Sequence, residues 1–123
     1  MLDRVTVKNF KEELAQLSAV LEPFARSIKC LESSHSTLSD VYLLWLAVLA
    51  RFRDIVKNNE GVVGVGLPKP VIEDTTSILN GRHTEMFQGQ AGNVYLAALF
   101  LDIRTYNSSS YRCQQTDCVY III

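Results

Sequence analysis

The stretch LEPFARSIKCLESSHSTLSDVYLLWLAVLA, residues 21–50, decides the fold. It holds a proline inside an apolar-periodic segment, a polar break and a helix-start signal, and then ten apolar residues from Val41 to Ala50. Two helices joined by a short connection fit that order. Upstream, Val7, Phe10, Leu14, Leu17, Leu21, Phe24, Ile28 and Leu31 step by three and four in strict alternation. That spacing is the seam of a helix with apolar a and d positions. Lys8, Lys11, Glu12, Glu13 and Gln16 fall on its other faces.

Pro23 removes one backbone donor and clashes one turn back, at a cost of about 3 kcal/mol. The phase of the seam nevertheless continues across it. Two solutions follow: one kinked helix, or two helices broken near Leu21 and Glu22 with Pro23 in the first turn of the second. A kink or a tight break that keeps both halves on one core is expected. Ser33-Ser34-His35-Ser36 is a polar turn. Thr37 or Ser36 can then cap a helix from Leu38 to about Lys57, with Asp40 favourably placed in its first turn. Asn58 and Asn59 end it. The core is expected to come from Val7 through Leu31 and from Val41 through Val56.

Downstream, EGVVGVGLPKP at 60–70 is a loop, since its three glycines and two prolines cannot continue a helix. GVVGVG lacks the GKS or GKT ending, the G-x-G-x-x-G spacing and the preceding strand of a phosphate loop. A flexible helix connector is expected instead. Val71 to Gln88 reads as a weaker helix, with Ile72, Thr75, Ile78, Leu79, Arg82, Met86 and Phe87 on one face. Gly81 weakens it by about 1 kcal/mol relative to alanine. Asn93 can cap the next element, Val94 to Leu101. Periodicity allows a buried strand or a buried helix there, and Ala97, Ala98 and the leucines favour helix. From Thr105 no helical period survives, and Val119 to Ile123 form an apolar, strand-prone end. The expected architecture is all-α: an irregular helical bundle of four to five helices over residues 1–104, with a disordered or strand-prone C-terminal tail over 105–123.

The chain has 123 residues, 48% of them hydrophobic and 20% charged, with a net charge of -1. That is a globular composition without the basic surplus that marks a nucleic-acid or anionic-membrane surface. Three cysteines, Cys30, Cys113 and Cys118, make an odd count, and the charged first twenty residues contain no signal-peptide core. A reducing, intracellular setting is expected. The run Val41–Ala50 falls well short of the roughly 20 residues of a membrane-spanning helix, so no membrane association is expected.

Chemistry-bearing residues are few. His35 and His83 are the only histidines; neither sits in H-E-x-x-H or near a G-x-S-x-G serine, and both read as solvated or capping. Cys30, His35, Cys113 and Cys118 lack the paired short spacings of a zinc site. A Cys30/His35 nucleophile lacks a third, orienting group. Two-metal phosphoryl chemistry needs clustered carboxylates, whereas Asp40, Asp54, Asp74 and Asp102 sit in or beside separate helices. Trp45, inside the apolar run, reads as core. No catalytic residue, metal ligand, cofactor or small-molecule substrate is expected, and the chain does not read as an enzyme.

Three blocks together resemble the hAT-type transposases and their domesticated relatives. LEPFARSIKCLESS at 21–34 is similar to their leucine-x-proline-phenylalanine helix. STLSDVYLLWL at 36–46 is similar to the helix that follows it. NGRHTEMF at 80–87 with VYLAALFLDIR at 94–104 is similar to their later block. The blocks occur in the family's order and spacing over about residues 10 to 107. The resemblance implies the all-helical insertion that splits a ribonuclease-H-like catalytic domain, whose acidic residues lie outside the insertion. None of them maps onto this chain, and neither the zinc-binding finger nor the C-terminal dimerisation block has a counterpart. Where the family has Leu-Asp-Pro-Arg-Tyr, this chain has Leu101-Asp102-Ile103-Arg104-Thr105. After Asn107 the likeness stops, as in a truncated element. The resemblance thus implies a non-catalytic helical fragment that scaffolds the catalytic fold and contacts transposon DNA in a nuclear full-length parent. The alternative is a helical interaction module, homo-oligomeric or otherwise, that associates through the Val7–Leu31 seam as a short coiled coil; Pro23 stands against it.

Overall fold

The computed structural model describes residues 3–62 and 64–102. Among them are four α-helices and no strand: α1 (Arg4–Leu31), α2 (Leu38–Lys57), α3 (Lys69–Phe87) and α4 (Gln90–Leu101). The all-α expectation holds, with the helix count at the lower bound. The expected tail, 105–123, lies outside the described residues.

α2 is the central helix. It packs against α1 on one side and α4 on the other, and α3 packs against α4. Its start is fixed locally. The Thr37 hydroxyl accepts from the Asp40 backbone N–H at 3.4 Å, and the Asp40 carboxylate accepts from the Thr37 N–H at 2.8 Å. This reciprocal capping box satisfies two otherwise orphaned donors. The helix ends at Lys57 as expected, and Leu44, Ala47, Val48 and Phe52 on its inner face are buried. Leu67 from the following loop, with Leu79 and Phe87 from α3, completes the buried apolar set among the described residues.

α1 is one continuous 28-residue helix with Pro23 inside it, so the two-helix alternative does not apply. Pro23 is buried, where packing against α2 offsets the lost intrahelical bond. The core assignment for α1 needs correction. The helix turns Gln16, Ala19, Val20, Pro23, Ser27 and Cys30 inward, all buried or half-buried, while Val7, Phe10, Leu14, Leu17, Leu21 and Ile28 are exposed. Of the expected seam only Phe24 and Leu31 are half-buried. At 100° per residue the exposed stripe points about 145° away from the inward one. α1 therefore carries two stripes, and the one built from smaller residues meets α2. Ser27 and Ser39, buried on α1 and α2, have hydroxyls with no hydrogen-bond partner.

The glycine connector is tied to its neighbours by side-chain hydrogen bonds. The Asn59 side chain donates to the Leu67 carbonyl at 2.9 Å and accepts from the Leu67 N–H at 2.6 Å. Gln16 Nε2 on α1 donates to the Gly66 carbonyl at 3.0 Å. A Cβ at Gly64 would lie 2.2 Å from the Asn59 carbonyl oxygen, so that glycine permits the close return of the chain over the end of α2. α3 then begins at Lys69, with Pro70 in its first turn, where a missing N–H costs nothing.

α4 begins earlier than expected. Gly89, at φ 90°, is its N-cap, and Asn93 lies inside the helix rather than capping it. Asp102 follows the last turn as the C-cap, in agreement with its reading as a helix end.

Candidate functional site

Two features stand out from the packed body: an aromatic cluster at the junction of α2, α3 and α4, and the exposed stripe of α1. The cluster follows from helical spacing. Tyr42 and Trp45 are three apart on α2, and His83 and Phe87 are four apart on α3, so each pair shares a face. Phe87 is the hub. Its ring centroid lies 5.1 Å from Tyr42, 6.0 Å from Trp45, 5.5 Å from His83 and 4.8 Å from Tyr95 of α4. The Tyr42 and Tyr95 contacts are edge-on, the arrangement favoured by ring quadrupoles.

The Trp45 and His83 rings lie side by side, 12° from parallel with centroids 6.5 Å apart, and the indole Nε1–H donates to His83 Nδ1 at 2.9 Å. Accepting that bond requires Nδ1 without a proton, so a neutral His83 carries its hydrogen on Nε2. His83 was expected to be solvated or capping; it is half-buried and the partner of Trp45. Trp45, expected as core, is half-buried at the edge of the cluster. The inner face of α3 reads Ile72, Thr75, Leu79, His83, Met86 and Phe87, with Ile78 and Arg82 exposed instead. Glu85, the carboxylate nearest His83 in sequence, pairs with Arg82 at 2.9 Å on the surface. Among the described residues the ring contacts of Phe87 join α2, α3 and α4 at this point. His83→Leu keeps apolar bulk but removes the acceptor, leaving the indole N–H unpaired. It is expected to lower stability by about 1–2 kcal/mol, read in urea unfolding by the emission of Trp45, the only tryptophan.

The other chemistry-bearing residues are dispersed. His35 is exposed in the α1–α2 turn, where its backbone N–H donates to the Ser33 hydroxyl. Cys30 is half-buried at the end of α1. Asp40 is committed to the capping box. Asp54 and Asp74 are exposed on separate helices. Among the described residues no three histidine, cysteine or acidic side chains gather where a metal could be held, and no helix is long and apolar enough to cross a membrane. Cys113 and Cys118 lie outside the described residues.

The α1 stripe is the larger feature. Every residue from Asp3 to Ala15 is exposed, so the first twelve residues of α1, about 18 Å of helix, contribute no buried side chain. On this segment Phe10 is 62% exposed; further along, Leu17 is 56% exposed. Lys8 and Glu12 pair at 3.8 Å away from the stripe. The described residues bury seven apolar side chains and leave sixteen large ones exposed. Aligned exposed apolar residues mark association surfaces, whereas scattered ones are ordinary. Pro23 does not obstruct this surface, because it belongs to the inward stripe and the helix runs through it. Against known proteins, no family model, no curated protein and no solved structure matches this chain.

Proposed function

We propose that this chain is a non-catalytic helical module that works by packing the exposed α1 stripe against another protein surface. The observation that carries it is the aligned exposure of Val7, Phe10, Leu14, Leu17, Leu21 and Ile28 on one face of α1. Six large side chains held half in water in register are costly unless covered, since burial of each is worth about 1.5–3 kcal/mol. Replacing Leu14 or Leu17 by glutamate should leave the fold intact, because neither side chain is in the core. Each replacement should at least halve the enhancement of an apolar dye such as anilinonaphthalene sulfonate at unchanged helical circular dichroism. Dye binding that ignores both replacements would sink the reading.

The likeness of residues 10–107 to the hAT-type transposases supports a more specific version. The chain would be the helical insertion of a transposase-like parent, scaffolding its split catalytic fold and contacting transposon DNA, with nuclear localisation. The dispersal of Asp40, Asp54 and Asp74 supports the absence of its own strand-transfer chemistry, which requires gathered carboxylates. Purified chain incubated with linear transposon-end DNA and magnesium or manganese is expected to leave the DNA uncut and unjoined; metal-dependent cleavage would contradict this version.

A further inference from the structure

We propose that the α1 stripe is closed by the α1 stripe of a second copy of this chain, with the two helices antiparallel. The proposal rests on reading the stripe as an association surface, and it names the partner. Three observations point to a second α1 rather than to a groove or a sheet. The three-four alternation is unbroken from Val7 to Leu31, and knobs at that period need the holes of another helix of the same period. The stripe lies on the face of α1 turned away from Gln16, Ala19, Pro23 and Ser27, so a second helix can approach it from the side opposite the inward stripe. The flanking positions carry few charges: Arg4, Lys11, Ser18 and Ala25 are exposed on one side of the stripe, and Thr6 and Glu13 lie on the other.

Charge selects the arrangement. With Leu14 of one copy opposite Leu17 of the other, the flanks bring Glu13 beside Val20 and Lys11 beside Ser18. Shifting the antiparallel register so that Phe10 faces Leu14 brings Glu13 to Glu13 and Lys11 to Lys11, and like charges across a helix pair repel. The antiparallel arrangement also places the two bundle bodies at opposite ends of the helix pair and opposes the helix dipoles. Overlap of residues 4–27 gives a contact about 36 Å long and one helix wide, on the order of 360 Å² of footprint per copy. Doubled over both copies this stays below the ~1,200 Å² of a standard stable interface. A contact of this size makes a weak dimer at most, so the measurement must reach high concentration.

Sedimentation equilibrium of the full chain between roughly 5 and 500 µM is expected to show a monomer–dimer equilibrium. Leu17→Glu is expected to weaken it at least ~100-fold, with helical circular dichroism unchanged; Leu14→Glu is the second variant should the first lose helix. Ser18→Glu separates the orientations. In the antiparallel pair the new carboxylate meets Lys11 of the other copy and the dimer tightens. In a parallel pair it meets Glu13 and the dimer weakens. A wild-type chain that stays monomeric at ~500 µM, or a dimer indifferent to Leu17→Glu and Leu14→Glu, overturns the second copy as partner. Weakening by Ser18→Glu overturns the antiparallel arrangement. A monomer whose dye binding still falls with Leu14→Glu would leave the stripe to a helix of another protein, and dye binding indifferent to both glutamates would remove the underlying reading as well.

Discussion

Gly92→Ala is expected to destabilise the chain by about 3 kcal/mol or more, while Gly81→Ala stabilises it by about 0.5–1 kcal/mol. The two substitutions are chemically identical and both fall within helices, where alanine is ordinarily the better residue. What separates them is the space around the added methyl. Gly81 is exposed on α3, and nothing stands within 4 Å of its would-be Cβ. Gly92 is buried in α4, and its would-be Cβ lies 1.7 Å from the carbonyl oxygen and 2.5 Å from the carbonyl carbon of Phe87. Those are backbone atoms of the last residue of α3, so no side-chain rotation relieves the collision. The α3–α4 corner must open, and the Phe87–Tyr95 contact across it is lost with it. Urea unfolding followed by circular dichroism at 222 nm should move the midpoints of the two variants in opposite directions. A Gly92→Ala midpoint at or above that of the wild type would show that the corner is not held as described.

How much of this was legible in the sequence depended on how far each signal reached. The bounds of α2 were readable to the residue because Thr37, Asp40 and Lys57 act within one turn of a helix end. The existence of α1 was readable from its period, but the stripe that meets α2 was not. Strong apolar spacing picks out Val7 through Leu31, and the stripe that packs contains Gln16, Pro23 and Ser27, which no hydrophobic template would choose. Its small side chains are favoured where two helices approach, a tertiary requirement invisible to a periodic search. His83 was missed for a related reason. It completes the Ile72, Thr75, Leu79, Phe87 face, yet an apolar template passes over histidine and took Ile78 and Arg82 in its place. The pairing of Tyr42 and Trp45 with His83 and Phe87, each pair on one helix face, was the available signal, but only the fold shows that the faces meet. Asn93 looked like a cap by composition, whereas Gly89, at φ 90°, caps α4 four residues earlier. The family resemblance reaches beyond that level and stands as a proposal.

Phe87→Ala is expected to cost about 3–5 kcal/mol, the usual range for truncating a buried phenylalanine. The aromatic geometry places it at the upper end. Phe87 is the one side chain in ring contact with all four of Tyr42, Trp45, His83 and Tyr95, and each such pair is worth about 0.5–1.5 kcal/mol beyond area. Removing it leaves a cavity where α2, α3 and α4 meet, lined by rings that cannot collapse inward without shifting a helix. Domains of this size hold about 5–15 kcal/mol in total, and the described residues here bury only seven apolar side chains, so the low end of that range applies and the loss removes most of it. Phe87→Leu preserves apolar volume, loses the edge-on contacts and should cost about 1–2 kcal/mol. The comparison with the α1 stripe makes the measurement specific. Leu17→Glu, 56% exposed on α1, should change association and leave the unfolding midpoint of the monomer within about 0.5 kcal/mol of wild type. Because Leu17 and Phe87 share no contact, the double variant Leu17→Glu/Phe87→Leu should show the sum of the single effects on monomer stability, to within about 0.5 kcal/mol. A larger deviation would mean that the α1 stripe and the aromatic junction are coupled through α2, and the separation of a folded body from an associating helix would fail.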